Sequence, residues 1–379
     1  MSAFPDVTPW RGLDAFDRRG EVWIGDHVLS PLGPALEPSP WPALLAWPGA
    51  PLADATTVAL DIETTGLAGA GCVVFQVGIA WREADGGVHV RQLVAPDLPA
   101  EAALLERLSE DLASRPVRLV TYNGDAFDIP FLRMRARMHR QRLTLPPALD
   151  VLSHTRRLYR DRDGSCRLGH LEATRLGHVR LDDLPGALVP QVYYDFLRRE
   201  EPDLLEPVLR HNAWDLVATL GLLWQVALDL TLAPSPGRDS ADLFGLYRSL
   251  SLAGDTAGAI VALEACLRSE PPPPLARAAM ARLAALYRRS GERDRRHRLW
   301  ERAAAAPEAP VEHLVEWAKI LEHERHDLAA AYGAAQAALA RLRARERLTG
   351  VPDRDRAEAV ERRISRLERR LVRQARRTS

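Results

Sequence analysis

The stretch Val58-Ala-Leu-Asp-Ile-Glu63 decides how this chain is read. Side chains alternate along a strand, so Val58, Leu60 and Ile62 share one face while Ala59, Asp61 and Glu63 share the other. Two carboxylates then stand about 7 Å apart on an otherwise apolar strand. Burying them together is unfavourable, because like charges repel in low dielectric and lose hydration. A bound divalent cation relieves both effects. Taken alone, the pair reads equally as a solvated strand end, since a lone D-x-E occurs often by chance.

Outward from this strand, Val73–Trp81 and Val88–Val94 are further β-rich runs, separated by turns at Gly69, Gly71, Gly86 and Gly87. Glu101–Ala113 has helical amphipathic periodicity and Val117–Tyr122 reads as a fourth short strand. Phe127–His139 reads as a helix whose start is marked by Asp125 or Asp128, and helical stretches follow over 152–160, 189–199 and 203–230. Three strands, a helix, a strand and then helices predict an α/β fold over residues 55–232, a mixed sheet layered with helices. Residues 1–54, rich in Pro, Trp and Gly with a strand-like piece at Glu21–Ile24, read as an extension packed on that domain. The run A-P-S-P-G at 233–237 predicts a linker, and 238–379 is almost wholly helical. Gly254-Asp255, Gly291-Glu292 and His326-Asp327 mark turns 37 and then 35 residues apart, a period that suits tetratricopeptide-like helix pairs. A plain helical bundle carries equal weight.

Composition bounds the function classes. With 379 residues, 46% hydrophobic and 27% charged, the chain has the balance of a soluble globular protein. Cys72, Cys166 and Cys266 lie far apart, which argues against a zinc site or disulfide framework and for a reducing compartment. Asp6, Arg11 and Asp14 stand where a signal peptide needs an apolar core, and no run of about 18 uncharged apolar residues is seen, so a cytoplasmic, membrane-free location is expected. Net charge is zero, but residues 341–379 hold 14 Arg against 6 acids, a net of +8, and Lys319 is the single lysine of the chain. Interleaved with Glu358, Glu361 and Glu368, those arginines read either as a phosphate-backbone contact or as a solvated helix with internal ion pairs. The helical region also offers a surface to a protein partner.

Two further signals accompany the first. Asn123-Gly-Asp-Ala-Phe127-Asp128 runs from a strand into a helix; Asn123 is placed to tie down the turn, Phe127 to anchor the helix, and Asp128 to project from its first turn, where an ordinary N-cap would also serve. His211-Asn-Ala-Trp-Asp215 sets an imidazole and a carboxylate on one helix face, as an exposed i, i+4 pair would also do. D-x-E, then N-x-x-x-F-D, then a His/Asp pair is the ordered pattern of the DEDD exonucleases, which are ribonuclease H-like. With T-T-G-L at Thr64–Leu67, F-Q-V-G at Phe75–Gly78, S-C-R-L at Ser165–Leu168, D-D-L-P-G at Asp182–Gly186, the aromatic segment Pro190–Leu197 and H-N-x-x-D itself, residues 55–230 resemble the YprB-like branch of that superfamily. That branch often carries a helical-repeat tail.

The resemblance implies a metal-dependent 3′–5′ exonuclease acting on the 3′ end of DNA or RNA. Asp61, Glu63 and Asp215 would ligate one of two divalent cations, with Asp61 bridging to the second and Asp128 holding the second directly or through water. His211 would be the general base; Thr64 and Leu67 would contact the terminal nucleotide, with Asn123 and Phe127 supporting the site. An all-oxygen donor set favours Mg²⁺ or Mn²⁺. In one departure, His211 stands four residues before Asp215, the spacing of the tyrosine in Tyr-type relatives, where His-type relatives have five. Two other functions fit the same residues: a nucleic-acid-binding module without turnover, and a scaffold defined by its helices.

Overall fold

A computed structural model of the chain describes residues 16–29, 45, 55–67, 69, 71–235 and 237–378. The decisive stretch lies in β3 (Thr56–Thr64), flanked by β4 (Val74–Arg82) on one side and β6 (Val117–Thr121) on the other. With β5 (Val88–Val94), β7 (Ala148–Asp150), β1 (Asp17–Arg19) and β2 (Val22–Leu29), they form a mixed sheet in the order β1-β2-β5-β4-β3-β6-β7. β3, β6 and β7 run parallel; the remaining pairings are antiparallel. Strand β4 is buried along almost its whole length, as expected of a strand covered on both faces.

Helices α1 (Glu101–Ala113), α2 (Asp128–Met138), α3 (Val151–Asp163), α4 (Leu168–Leu171), α5 (Val189–Arg199) and α6 (Glu206–Thr231) flank the sheet, with a π-helical turn at Glu172–Leu176. The long helix α6 crosses β3, β4, β5 and β6. The helical stretch Pro202–Thr231, which includes α6, is long and apolar enough by length and composition to cross a membrane; 78% of its apolar window is buried within the fold, as in a core helix.

Two features extend the expected sheet. The strand-like piece at Glu21–Ile24 belongs to a hairpin, β1-β2, whose second strand pairs with β5 from Trp23↔Val94 to Leu29↔Val88. Part of the predicted extension is therefore integral to the sheet; residues 1–15, 30–44 and 46–54 lie outside those described. The other addition is β7, only three residues long and placed directly after Pro146-Pro147, too short to show a period.

The chain divides into two compact units, Met1–Ala265 and Cys266–Ser379. The first runs past the Pro-Ser-Pro stretch expected to be a linker. Helix α7 (Ser240–Leu252), which precedes α8 (Thr256–Arg268), lies against α3 so closely that a Cβ on Gly245 would fall 2.2 Å from the Leu158 carbonyl oxygen. Asp242 of α7 takes ion pairs from Arg162 and Arg175, and Arg248 pairs with Asp161.

The second unit contains α9 (Pro273–Arg289), α10 (Arg293–Ala305), α11 (Val311–His323), α12 (Leu328–Thr349) and α13 (Arg354–Thr378). Left-handed residues at Gly254, Gly291 and His326 sit between successive helices at the three turns read from the sequence. The basic helix α13 spends much of its charge internally. Arg363, Arg366 and Arg370 all reach the fully buried Glu322 of α11, while Arg356 pairs with Glu312 and Arg362 with Glu358.

Candidate functional site

Register assembles the site. Asp61 on β3 lies opposite Gly78 on β4, which lies opposite Gln92 on β5; paired residues share a face, so these three form a row across the sheet. A Cβ on Gly78 would meet Asn212 Oδ1 at 2.1 Å, and this gap lets α6 descend onto the row. Asn212, completely buried, bridges it: its Nδ2 donates to Asp61 Oδ2 at 2.8 Å, and its Oδ1 accepts from Gln92 Nε2 at 2.8 Å. Gln92 Nε2 also donates to the Leu209 carbonyl at 2.7 Å, tying the row to α6. The next row pairs Glu63 with Gln76 and Gln76 with Val94. Gln76 is buried, and neither of its amide atoms has a hydrogen-bond partner.

The other carboxylates arrive from helices. Asp128, buried as the first residue of α2, does not cap that helix; its Oδ1 accepts from the Ile62 backbone N–H at 3.1 Å, between Asp61 and Glu63. Asp215, one turn after His211 on α6, lies with its Oδ1 2.6 Å from Arg180 Nη2. That arginine is itself held by the fully buried Glu172 at 2.7 Å and by Asp183 at 3.1 Å. His211 Nδ1 is 2.8 Å from Asp183 Oδ1, while Nε2 faces Asp215 Oδ2 at 3.7 Å.

Proton affinities record the crowding. Burial, with the charges of Asp215, Asp128 and Glu63, holds Asp61 well above the usual carboxylate range, against the Asn212 hydrogen bond. Glu63 is pushed up to about 8, again by burial first and then by Asp215 and Asp128, with His211 opposing. Burial likewise lifts Asp128 to about 7 despite the Ile62 N–H. His211 rises to about 9: burial acts downward, but the Asp183 hydrogen bond and the charges of Asp215 and Glu63 outweigh it.

Of the residues singled out from the sequence, Asp61, Glu63, Asp128, His211 and Asp215 therefore converge on one end of the sheet. Thr64 is buried and spends its hydroxyl on the Gly66 carbonyl at 2.8 Å, after a register shift in the β3–β4 pairing. Leu67 is 84% exposed. Asn123 serves its turn through the backbone, with φ 66 and its N–H donated to Asp150 Oδ1 at 2.8 Å. Phe127 packs on Phe131 at 5.5 Å between ring centroids. His178 and His170 bond Glu172 and the Asp163 carbonyl.

The chain matches the model of the RNase_H superfamily over residues 58–226, the span containing Asp61, Glu63, Asp128 and Asp215. It is also 31% identical over 287 residues to the Bacillus subtilis (strain 168) protein named "Uncharacterized protein YprB", a match covering 74% of this chain and 68% of that one. The chain belongs to the YprB-like family of the RNase H superfamily. Membership in that superfamily points to nuclease-type hydrolysis of nucleic acid. The sheet agrees, with β3 in its interior, joined to β4 by antiparallel and to β6 by parallel pairing, β5 antiparallel to β4 and β7 parallel to β6.

Among the described residues, no three His, Cys, Asp or Glu side chains are already gathered as a metal cluster. Asp215 instead contacts Arg180, whose guanidinium takes up part of the negative charge. The donor chemistry nevertheless fits a hard divalent cation: four carboxylates, no thiolate, and three of them raised in proton affinity partly by mutual repulsion.

Proposed function

We propose that this chain is a metal-dependent 3′–5′ exonuclease that hydrolyses phosphodiester bonds of DNA or RNA, using two divalent cations, Mg²⁺ or Mn²⁺, at Asp61, Glu63, Asp128 and Asp215. The observation that carries this reading is the convergence of four carboxylates from β3, α2 and α6, with Asp128 seated on the backbone between the two strand acids. Such an arrangement destabilises the fold unless positive charge joins it. The 3′ direction rests on the ordered motif set.

When bound, the cations stabilise charge on the attacking and leaving oxygens of the scissile phosphate. The chain's own residues do the rest. Asn212, fixed by Gln92, holds Asp61 in place, as partners of metal ligands commonly do. Asp183 holds His211 through Nδ1 and turns Nε2 toward Asp215, where it takes or orients the proton of the attacking water. Neutralising the carboxylates removes charge that keeps this imidazole protonated, which suits it to act as a base. Leu67 offers an apolar surface to the terminal base.

The test uses single-stranded DNA and RNA labelled at either end, incubated with Mg²⁺, Mn²⁺ or EDTA. A shortening ladder from the 5′ label and immediate mononucleotide from the 3′ label are expected, both lost in EDTA and in Asp61→Ala. Equal degradation by Asp61→Ala would refute the reading.

A further inference from the structure

Arg156, Arg160 and Arg167 converge on one cavity of about 430 Å³, and no carboxylate lines it. Their neighbours are committed elsewhere: Arg162 to Asp242, Arg175 to Asp163 and Asp242, Arg180 to Glu172, Asp183 and Asp215. The nearby acids are occupied too. Asp161 pairs with Arg248, and Asp150 accepts the Asn123 and Leu152 backbone N–H groups. Arg156, Arg160 and Arg167 are exposed and make no ion pair among the described residues.

Three like charges around a concavity repel one another, and an oxyanion between them reverses the sign of that interaction. Guanidinium forks match the geometry of phosphate oxygens, and Ser165 adds a hydroxyl to the same wall. The wall is anchored: Tyr122 Oη donates to the Cys166 carbonyl at 2.7 Å, binding the 164–167 loop to the end of β6. The pocket is linked to the carboxylates through the chain. Its rim residue Asn123 opens the tight turn that delivers Asp128, closed by Ile129 N–H to the Gly124 carbonyl at 2.9 Å.

We propose that this pocket is a subsite for backbone phosphates of the strand whose end lies at the carboxylates, an assignment that rests on the nuclease reading. Each arginine neutralises phosphate charge without reading sequence, so the subsite gives affinity and register rather than base preference.

The test is the double variant Arg156→Ala/Arg160→Ala, whose substitutions lie four apart on α3 and retain helix propensity. A charge-matched control, Arg298→Ala/Arg302→Ala, removes two exposed arginines of α10 in the other unit. Binding of a fluorescein-labelled oligothymidylate is followed by anisotropy in EDTA across a salt series, and cleavage kinetics are followed in Mn²⁺. Loss of two phosphate contacts should flatten the salt dependence by about 1.4 in log–log slope and raise KM at constant kcat, while the control behaves as wild type. An unchanged slope and KM in the α3 variant, with cleavage intact, would overturn the subsite and leave the nuclease reading standing. Failure of the wild type to bind or cleave any strand would remove both. Inorganic phosphate competing as well as the oligonucleotide, per phosphate, would make the pocket a free-anion site and overturn its assignment to a strand.

Discussion

Gln76 is buried beside Glu63 with both amide atoms lacking hydrogen bonds, a state that costs about 1–3 kcal/mol. Retaining it makes sense if the amide serves whatever binds at the carboxylates. Gln76→Leu is therefore expected to raise the melting temperature while lowering kcat/KM; a variant equally stable and equally active would show the amide to be idle. The residues of this site differ sharply in how visible they are from sequence. Asp61 and Glu63 stand out because a strand's two-residue period alone puts them on one face. Gln76, Gln92 and Asn212 carry no such signal, because each meets the site only through cross-strand register and the return of α6 over Gly78, with 120 residues separating Gln92 from Asn212. Arg180 and Asp183 lie in an irregular loop where Asp182 has φ 54, and periodicity says nothing about such segments.

Among elements, helices and strands with a clear period were legible nearly to the residue, as with α1 and β5. β7 was not, being short, nor were α4 and the π-helical turn, which lack a hydrophobic repeat long enough to read. Helix α13 follows the second of the two readings its charge allowed, that of internal ion pairs. Three of its arginines clamp one buried carboxylate, Glu322. Burial acts to raise the proton affinity of Glu322, but the Arg366 hydrogen bond and the surrounding positive charge overcome this and leave it below its ordinary value of 4.5. A group depressed in the folded state contributes stability above its unfolded value, and that contribution is lost as pH falls through the lower folded value. Hydrogen exchange should therefore show α13 losing protection as pH drops below about 4.5. Glu322→Gln should lower its protection at neutral pH by roughly 1.5–3 kcal/mol and abolish the acid dependence. Identical protection in variant and wild type at both pH values would remove the clamp from the account.

At the scale of the molecule, the Pro-rich stretch at 233–237 looked like a boundary because Pro and Gly punctuate local structure, but they say nothing about what the following helix packs against. Helix α7 returns to α3, and the Arg175–Asp242 pair there is mostly shielded from solvent. A chain ending at residue 237 should accordingly lose about 3–5 kcal/mol more stability than one ending at 272, measured by urea unfolding. Equal losses would mean that α7 is not part of the first unit. The seven-stranded sheet, α6 and the four carboxylates together make one prediction about the intact protein, that it binds metal where it cuts. The most direct measurement counts Mn²⁺ bound per chain by electron paramagnetic resonance, for wild type, Asp61→Asn, Asp128→Asn and Asn212→Ala, beside strand cleavage by the same preparations. Two ions in the wild type are predicted, with fewer ions and no cleavage in both aspartate variants, and affinity about 10–100-fold weaker in Asn212→Ala. Full cleavage by wild type in EDTA, or unaltered Mn²⁺ binding and cleavage in Asp61→Asn and Asp128→Asn, would contradict it.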